Sequence, residues 1–253
     1  MFIQNNKKKD NPILSLSCNI LIPVIILKNG NKWINKFLIK YHGEEWAYQN
    51  TTIVDISSIV FFIALIFPVI YFFYDLLNRK NINFISIFGF INILLTGGIG
   101  IFGAKLGLSK FWFILKEGML PILIGLMLII MSKYRESSFK NILLNKVLFD
   151  IDKISIAIKE DMRYKFEYII RKAGYHLIAG FFISSIIQFG LAFLIVVSNP
   201  GEASFNKEVS TMTWVSYVAV LLPTMLIVGK GYLGLISGIE KITGLKKEEF
   251  LKS

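Results

Sequence analysis

Cysteine is all but missing from this 253-residue chain. Cys18 stands alone inside an apolar stretch, so no intrachain disulfide can form and a disulfide-stapled secreted scaffold is excluded. Histidine is nearly as scarce. His42 and His176 have no Cys, His or carboxylate neighbours at metal-ligand spacing, whereas zinc needs three or four such ligands. No metal or other cofactor is expected. Charge is thin as well, at 18% of residues against about a quarter in soluble domains. What charge there is leans one way, with 28 Lys and Arg against 17 Asp and Glu.

Other chemistries fall away on similar grounds. The serines inside apolar runs have no basic partner at a telling spacing, so a nucleophilic enzyme is not expected. The Gly97-Gly98-Ile99-Gly100 cluster lacks the strand and helix that flank a phosphate-binding loop. A net charge of +11 could serve nucleic acid or an anionic membrane surface. The basic residues flank apolar runs, and no zinc-knuckle or aromatic-basic RNA motif is present, so lipid rather than nucleic acid is the expected partner.

What the chain has in abundance is hydrocarbon. Hydrophobic residues make up 54% of it, with 22 phenylalanines. Several runs approach or exceed ~18 residues with at most a charge or two, the length that crosses a bilayer. The expected fold is all-α, a single integral membrane domain built as a polytopic helix bundle of about six spans. They fall at about 13–27, 53–74, 84–103, 111–131, 177–197 and 214–237. The first follows Lys7, Lys8 and Lys9 and resembles a signal peptide, but Lys28-Asn29-Gly30 follows where a small-residue cleavage site would be, so it reads as an uncleaved helix. Its apolar run is about 22 Å long as a helix against a ~30 Å core, which leaves a re-entrant or interfacial course open. Lys28, Lys32, Lys36 and Lys40 then recur every four residues, with Trp33, Phe37 and Tyr41 on another face. That pattern suits a surface amphipathic helix or a solvated one.

The one long polar stretch, 133–175, holds ten Lys or Arg. Within it Val147, Ile151, Ile154, Ile158 and Met162 step by three or four, predicting amphipathic helices. With all six segments spanning and the N-terminus cytoplasmic, nineteen Lys and Arg lie on the inner side and seven outside. This positive-inside bias predicts that both termini, and the 133–175 helices, are in the cytoplasm. Lys140, Lys146, Lys153 and Lys159 form its expected surface for anionic lipid head groups or a cytosolic partner.

Polar residues inside the spans carry the functional question. Asn92, Thr96 and Gly100 share a face of the third span, and Gly180, Ser184 and Gln188 share one of the fifth. Lys116 and the adjacent Glu117 lie six or seven residues into the fourth, where an ionised group costs up to ~2.5–3.5 kcal/mol. Adjacent helical residues point about 100° apart, so the two need separate partners. Pro121 brings no N–H to the carbonyl of Glu117, predicting a kink beside the charges. Two readings are open. Lys116, Glu117, Asn92, Thr96, Gly97, Gly98 and Gln188 line a polar seam for a small solute or ion, or they are helix-packing contacts with Lys116 reaching toward lipid phosphates.

Several segments together resemble a family of bacterial inner-membrane proteins, without a settled biochemical activity, that is related to intracellular septation protein A. They are NPILSL, PVIYFFYDL, NFISIFGFINILLTGGIGIF, FWFILKEGMLPILIG, LFDIDKI, SNPGEASFN and ITGL, in order along most of the chain. The resemblance implies a polytopic inner-membrane protein, with a link to envelope maintenance and division. It transfers no catalytic residues. The basic stretch 133–175 and two extra spans depart from septation protein A itself. The leading expectation is a transporter- or channel-like protein; the alternative is a non-catalytic scaffold of the cell envelope.

Overall fold

The computed structural model describes residues 14, 17–44, 56–79, 84–145, 148–202 and 204–252. Its regular elements are helical; among the described residues the extended backbone pairs only once, where Phe149 bridges Leu251. A π-helical turn, Ser17–Leu21, leads into α1 (Ile22–His42). Then follow α2 (Ile56–Arg79), α3 (Phe84–Phe102), α4 (Lys110–Tyr134), α5 (Glu136–Leu143) and α6 (Ile151–Ala157). A 3₁₀ turn, Glu160–Met162, precedes α7 (Arg163–Ile195), α8 (Phe205–Thr243) and the short α9 (Lys247–Phe250).

Four of these are long and apolar enough to cross a membrane: α2 over Ile56–Leu77, α4, α7 together with the turn before it, and α8. α7 and α8 hold 33 and 39 residues, or about 50 and 58 Å of helix, well beyond a ~30 Å hydrocarbon core.

Helix boundaries differ from the expected ones wherever polar sequence is still helix-competent. α1 passes straight through Lys28-Asn29-Gly30, the expected edge of the first apolar run. Its four spaced lysines are exposed, as are Trp33, Phe37 and Tyr41. α7 begins at Arg163, so residues 163–175 are the first turns of the fifth apolar helix rather than a separate loop helix. No proline interrupts them, and Ile170 and Ala173 are buried, so packing stabilises what hydropathy alone assigns to water. α8 likewise reaches back to Phe205 because Phe205, Val209 and Met212, at helical spacing, are all buried. It stops where Gly244 takes φ +73°, a left-handed position that favours glycine.

The chain forms two compact units. The first comprises Met1–Lys116 and Phe189–Tyr217. Its core is built on Phe61, Phe113 and Phe205, with ring centroids 6.2 Å apart for Phe61–Phe205 and 5.6 Å for the edge-on Phe113–Phe205 pair. Glycine lets α3 lie close on α2: a Cβ at Gly100 would come within 2.6 Å of the Phe61 ring.

The second unit comprises Glu117–Gln188 and Val218–Ser253. Phe139, Leu143, Phe149, Ile154, Ile170 and Phe250 form its core. The expected stripe is realised in pieces: Ile154 is buried, Ile151, Ile158 and Met162 are half-buried, and α6 ends at Ala157 before the 3₁₀ turn. Val147 lies outside the described residues. The Asp150 carboxylate accepts the Lys153 amide at 3.3 Å, capping α6. The C-terminal segment is tied back by Asp150 N–H to the Phe250 carbonyl at 2.8 Å and Lys252 N–H to the Leu148 carbonyl at 2.9 Å. Phe149 and Phe250 stack there with planes 6° apart.

Candidate functional site

α3 and α4 are joined through residues 103–109, a turn that reverses the chain. Thr96 lies six residues before the end of α3 and Lys116 six after the start of α4. At 1.5 Å per residue each is about 9 Å from its helix end, so the hairpin brings them to one level. The Lys116 ammonium donates to Thr96 Oγ1 at 2.6 Å and to Asn92 Oδ1 at 3.0 Å. It also lies 4.8 Å from the Phe113 ring centroid, within cation–π range.

The acceptors are pre-set. Asn92 and Thr96 sit one turn apart on α3, and the Thr96 hydroxyl donates its proton to the Asn92 carbonyl at 2.8 Å. That back-bond orients the oxygen's lone pairs away from its own helix and toward the ammonium. Lys116 is only 7% exposed. Charge-assisted bonds contribute about 1.5–3 kcal/mol each, and these two offset part of the cost of burying a cation. The arrangement buries an amine between two helices, where it can meet an anionic group or lock the helices together.

The other expected seam residues have different surroundings. Glu117 belongs to the second unit and is half-buried. Pro121 is buried within α4, which continues through it. The Ser185 hydroxyl of α7 donates to the Gly118 carbonyl at 2.5 Å, one residue beyond the carbonyl that Pro121 leaves without its helical donor. Gln188 donates to Ser184 Oγ, 3.0 Å away on its own helix. Gly97 packs against the Leu65 side chain, and Gly98 has nothing within 4 Å of a would-be Cβ. Both line an apolar groove of about 350 Å³ with Phe62, Leu65, Ile93 and Ile101. So Lys116, Asn92 and Thr96 come together, while the two glycines border apolar side chains.

The expected basic surface divides too. Lys140 is half-buried and its ammonium is ion-paired with Glu167 Oε1 across α5 and α7. Lys153 sits 3.7 Å from Asp150 Oδ2 and donates to the Glu249 carbonyl at 3.4 Å. Lys159 is exposed, and Lys146 lies outside the described residues.

Three sets of polar contacts in the first unit escape sequence reasoning. Glu208, in the first turn of α8, accepts the Val197 and Ser198 amides at 3.0 and 2.9 Å, and the Ser198 hydroxyl at 2.7 Å. Asn199 Oδ1 accepts the Lys110 amide at 3.0 Å, capping α4, while the Lys110 ammonium donates to the Val197 carbonyl at 3.0 Å. Asn206, 1% exposed, donates to the Ser57 carbonyl at 2.9 Å. The turn residues Asn199-Pro200-Gly201 were the only advance signal, and they mark a turn, not its partners. Among the described residues no three His, Cys, Asp or Glu side chains group as a metal site would require.

Comparison with known proteins returns no matching family model, no matching curated protein and no matching solved structure.

Proposed function

We propose that this chain is a polytopic protein of a bacterial inner membrane, transporter- or channel-like, in which Lys116 is the fixed charge on a path for a small anionic solute or ion. Six spans, both termini cytoplasmic and kinship with the septation-protein-A relatives belong to the same reading. One observation carries it: an ammonium group, 7% exposed within a membrane-length helix, held by side-chain acceptors that a passing anion can replace. Ionisable groups inside spans are costly and are by default functional. Asn92 and Thr96, both neutral, orient the ammonium.

The test is flux into proteoliposomes loaded with an anion-sensitive dye, comparing chloride, phosphate and acetate gradients for the wild type, Lys116→Met and Lys116→Arg. Wild-type flux of at least one anion, lost in Lys116→Met and partly kept in Lys116→Arg, is the expected result. Equal flux in wild type and Lys116→Met, at equal insertion, would sink the proposal. So would no anion flux in wild type.

A scaffold role is the second reading, favoured by the internal bracing of the second unit. The Lys140–Glu167 pair joins α5 to α7, and the C-terminal strap closes on α6. A solute path has no evident need of that bracing, whereas a docking platform does. Under this reading Lys116→Met is tolerated, and neutralising Lys153 and Lys159 together abolishes membrane-dependent partner capture.

A further inference from the structure

At the C-terminal end of α4, in the second unit, a cleft of about 370 Å³ lies among Ile129, Ser132, Lys133, Glu136, Arg171 and Tyr175. We infer that this cleft is a head-group site for an anionic phospholipid, with Lys133, Arg171 and the Tyr175 hydroxyl holding the phosphate.

The argument starts from position. Lys133 is in the last turn of a 25-residue apolar helix, the depth at which lipid phosphates lie if that helix crosses the bilayer. Immediately toward the hydrocarbon, Ile129 and Ile130 are exposed and offer an apolar track for acyl chains. Volume agrees. Ligand clefts run about 300–1,000 Å³, so this one suits a head group while the chains remain outside in lipid.

Charge selects the class. The lining carries Lys133 and Arg171 against Glu136, one positive charge in excess. Arg171 shares its guanidinium with Glu136 at 3.4 Å, an exposed pair of little strength. Among the described residues Lys133 has no carboxylate partner; its ammonium lies 5.4 Å from the Tyr134 ring centroid. The Ser132 hydroxyl donates to the Ile129 carbonyl at 2.8 Å, which leaves Lys133, Arg171 and Tyr175 as the donors facing the cleft. A monoanionic glycerophosphate head group balances the excess charge. A zwitterionic ethanolamine lipid does not. Arg135 and Lys172, exposed nearby in sequence, add to the local field.

The inference rests on the membrane reading of α4, so the experiment separates the two. The full chain is reconstituted in nanodiscs of equimolar phosphatidylglycerol and phosphatidylethanolamine, re-extracted in mild detergent, and its bound lipid counted by native mass spectrometry. Wild type is expected to retain phosphatidylglycerol about tenfold over phosphatidylethanolamine. Lys133→Ala, which breaks no ion pair, should lose most of that preference; Lys133→Ala with Arg171→Ala should lose all of it. Lys153→Ala with Lys159→Ala should keep it. Equal retention of both lipids by wild type, or unchanged preference in the double variant, overturns the site. Displacement of the lipid by millimolar inorganic phosphate overturns its assignment to a lipid in favour of a free anion. Failure of the chain to enter nanodiscs at all overturns the membrane reading instead.

Discussion

Replacing Thr96 by valine removes one hydroxyl and leaves volume almost unchanged. In the native hairpin that oxygen accepts from the buried Lys116 ammonium at 2.6 Å, so its loss leaves the amine with one fewer acceptor. Bonds to charged groups contribute about 1.5–3 kcal/mol, and side-chain bonds between membrane helices average nearer ~0.6 and reach ~1.7. A cost of about 1–2 kcal/mol is therefore expected for Thr96→Val alone. Lys116→Met removes the bonds to Asn92 and Thr96 together with a burial cost of up to ~2.5–3.5 kcal/mol, so it should cost less than those two bonds would by themselves. Once Lys116→Met is in place, the valine substitution has nothing left to break between the helices and should cost less than ~0.5 kcal/mol. The coupling read from the double-mutant cycle is then about 1–2 kcal/mol. Reversible unfolding in mixed detergent micelles, followed by helical ellipticity across an SDS titration, measures all four proteins. An equal cost for Thr96→Val in the wild-type and Lys116→Met backgrounds would refute the reasoning, because it would mean the hydroxyl matters only to its own helix.

Three further substitutions probe the fold. Gly100→Ala, whose new Cβ would sit 2.6 Å from the Phe61 ring, should destabilise the α2–α3 contact by about 1–3 kcal/mol, while Gly98→Ala, with open space around it, should be neutral in the same SDS titration. Glu208→Ala strips the acceptor from two amides and the Ser198 hydroxyl, so the 196–202 turn should loosen, with faster limited proteolysis there and a loss of about 2–3 kcal/mol. Phe250→Ala empties a fully buried position stacked on Phe149 and should cost about 3–5 kcal/mol; a protease-resistant C-terminal segment in that variant would count against the strap.

Much of the helical skeleton is legible along the chain because apolar length and the absence of breakers are local properties. That is why α2, α4, α7 and α8 coincide with apolar runs in the sequence. Their ends are another matter. Whether 163–175 continues α7 depends on Ile170 and Ala173 finding a buried setting, which hydropathy summed over a window does not register. The same holds for Phe205 to Met212 at the head of α8.

The site divides along the same line. Lys116 announces itself in one dimension, since a cation six residues inside an apolar run demands a partner whatever the fold. Asn92 and Thr96 are marked only as polar residues on one face. That face could equally have met α2, and the α3–α4 hairpin decided that it meets Lys116. Gly97 and Gly98 look alike in sequence to residues of a seam, yet they border an apolar groove because a helix has sides and a string of letters does not. Glu208 gives no sign at all, and Lys140 reads only as part of a basic surface, until turns and packing bring the Val197 amide and Glu167 to them. Composition thus settled which segments are helical and apolar, a matter of each residue's own solvation. Pairing across twenty or more residues belongs to the tertiary structure, because it depends on helix rotation and depth, which no local pattern encodes.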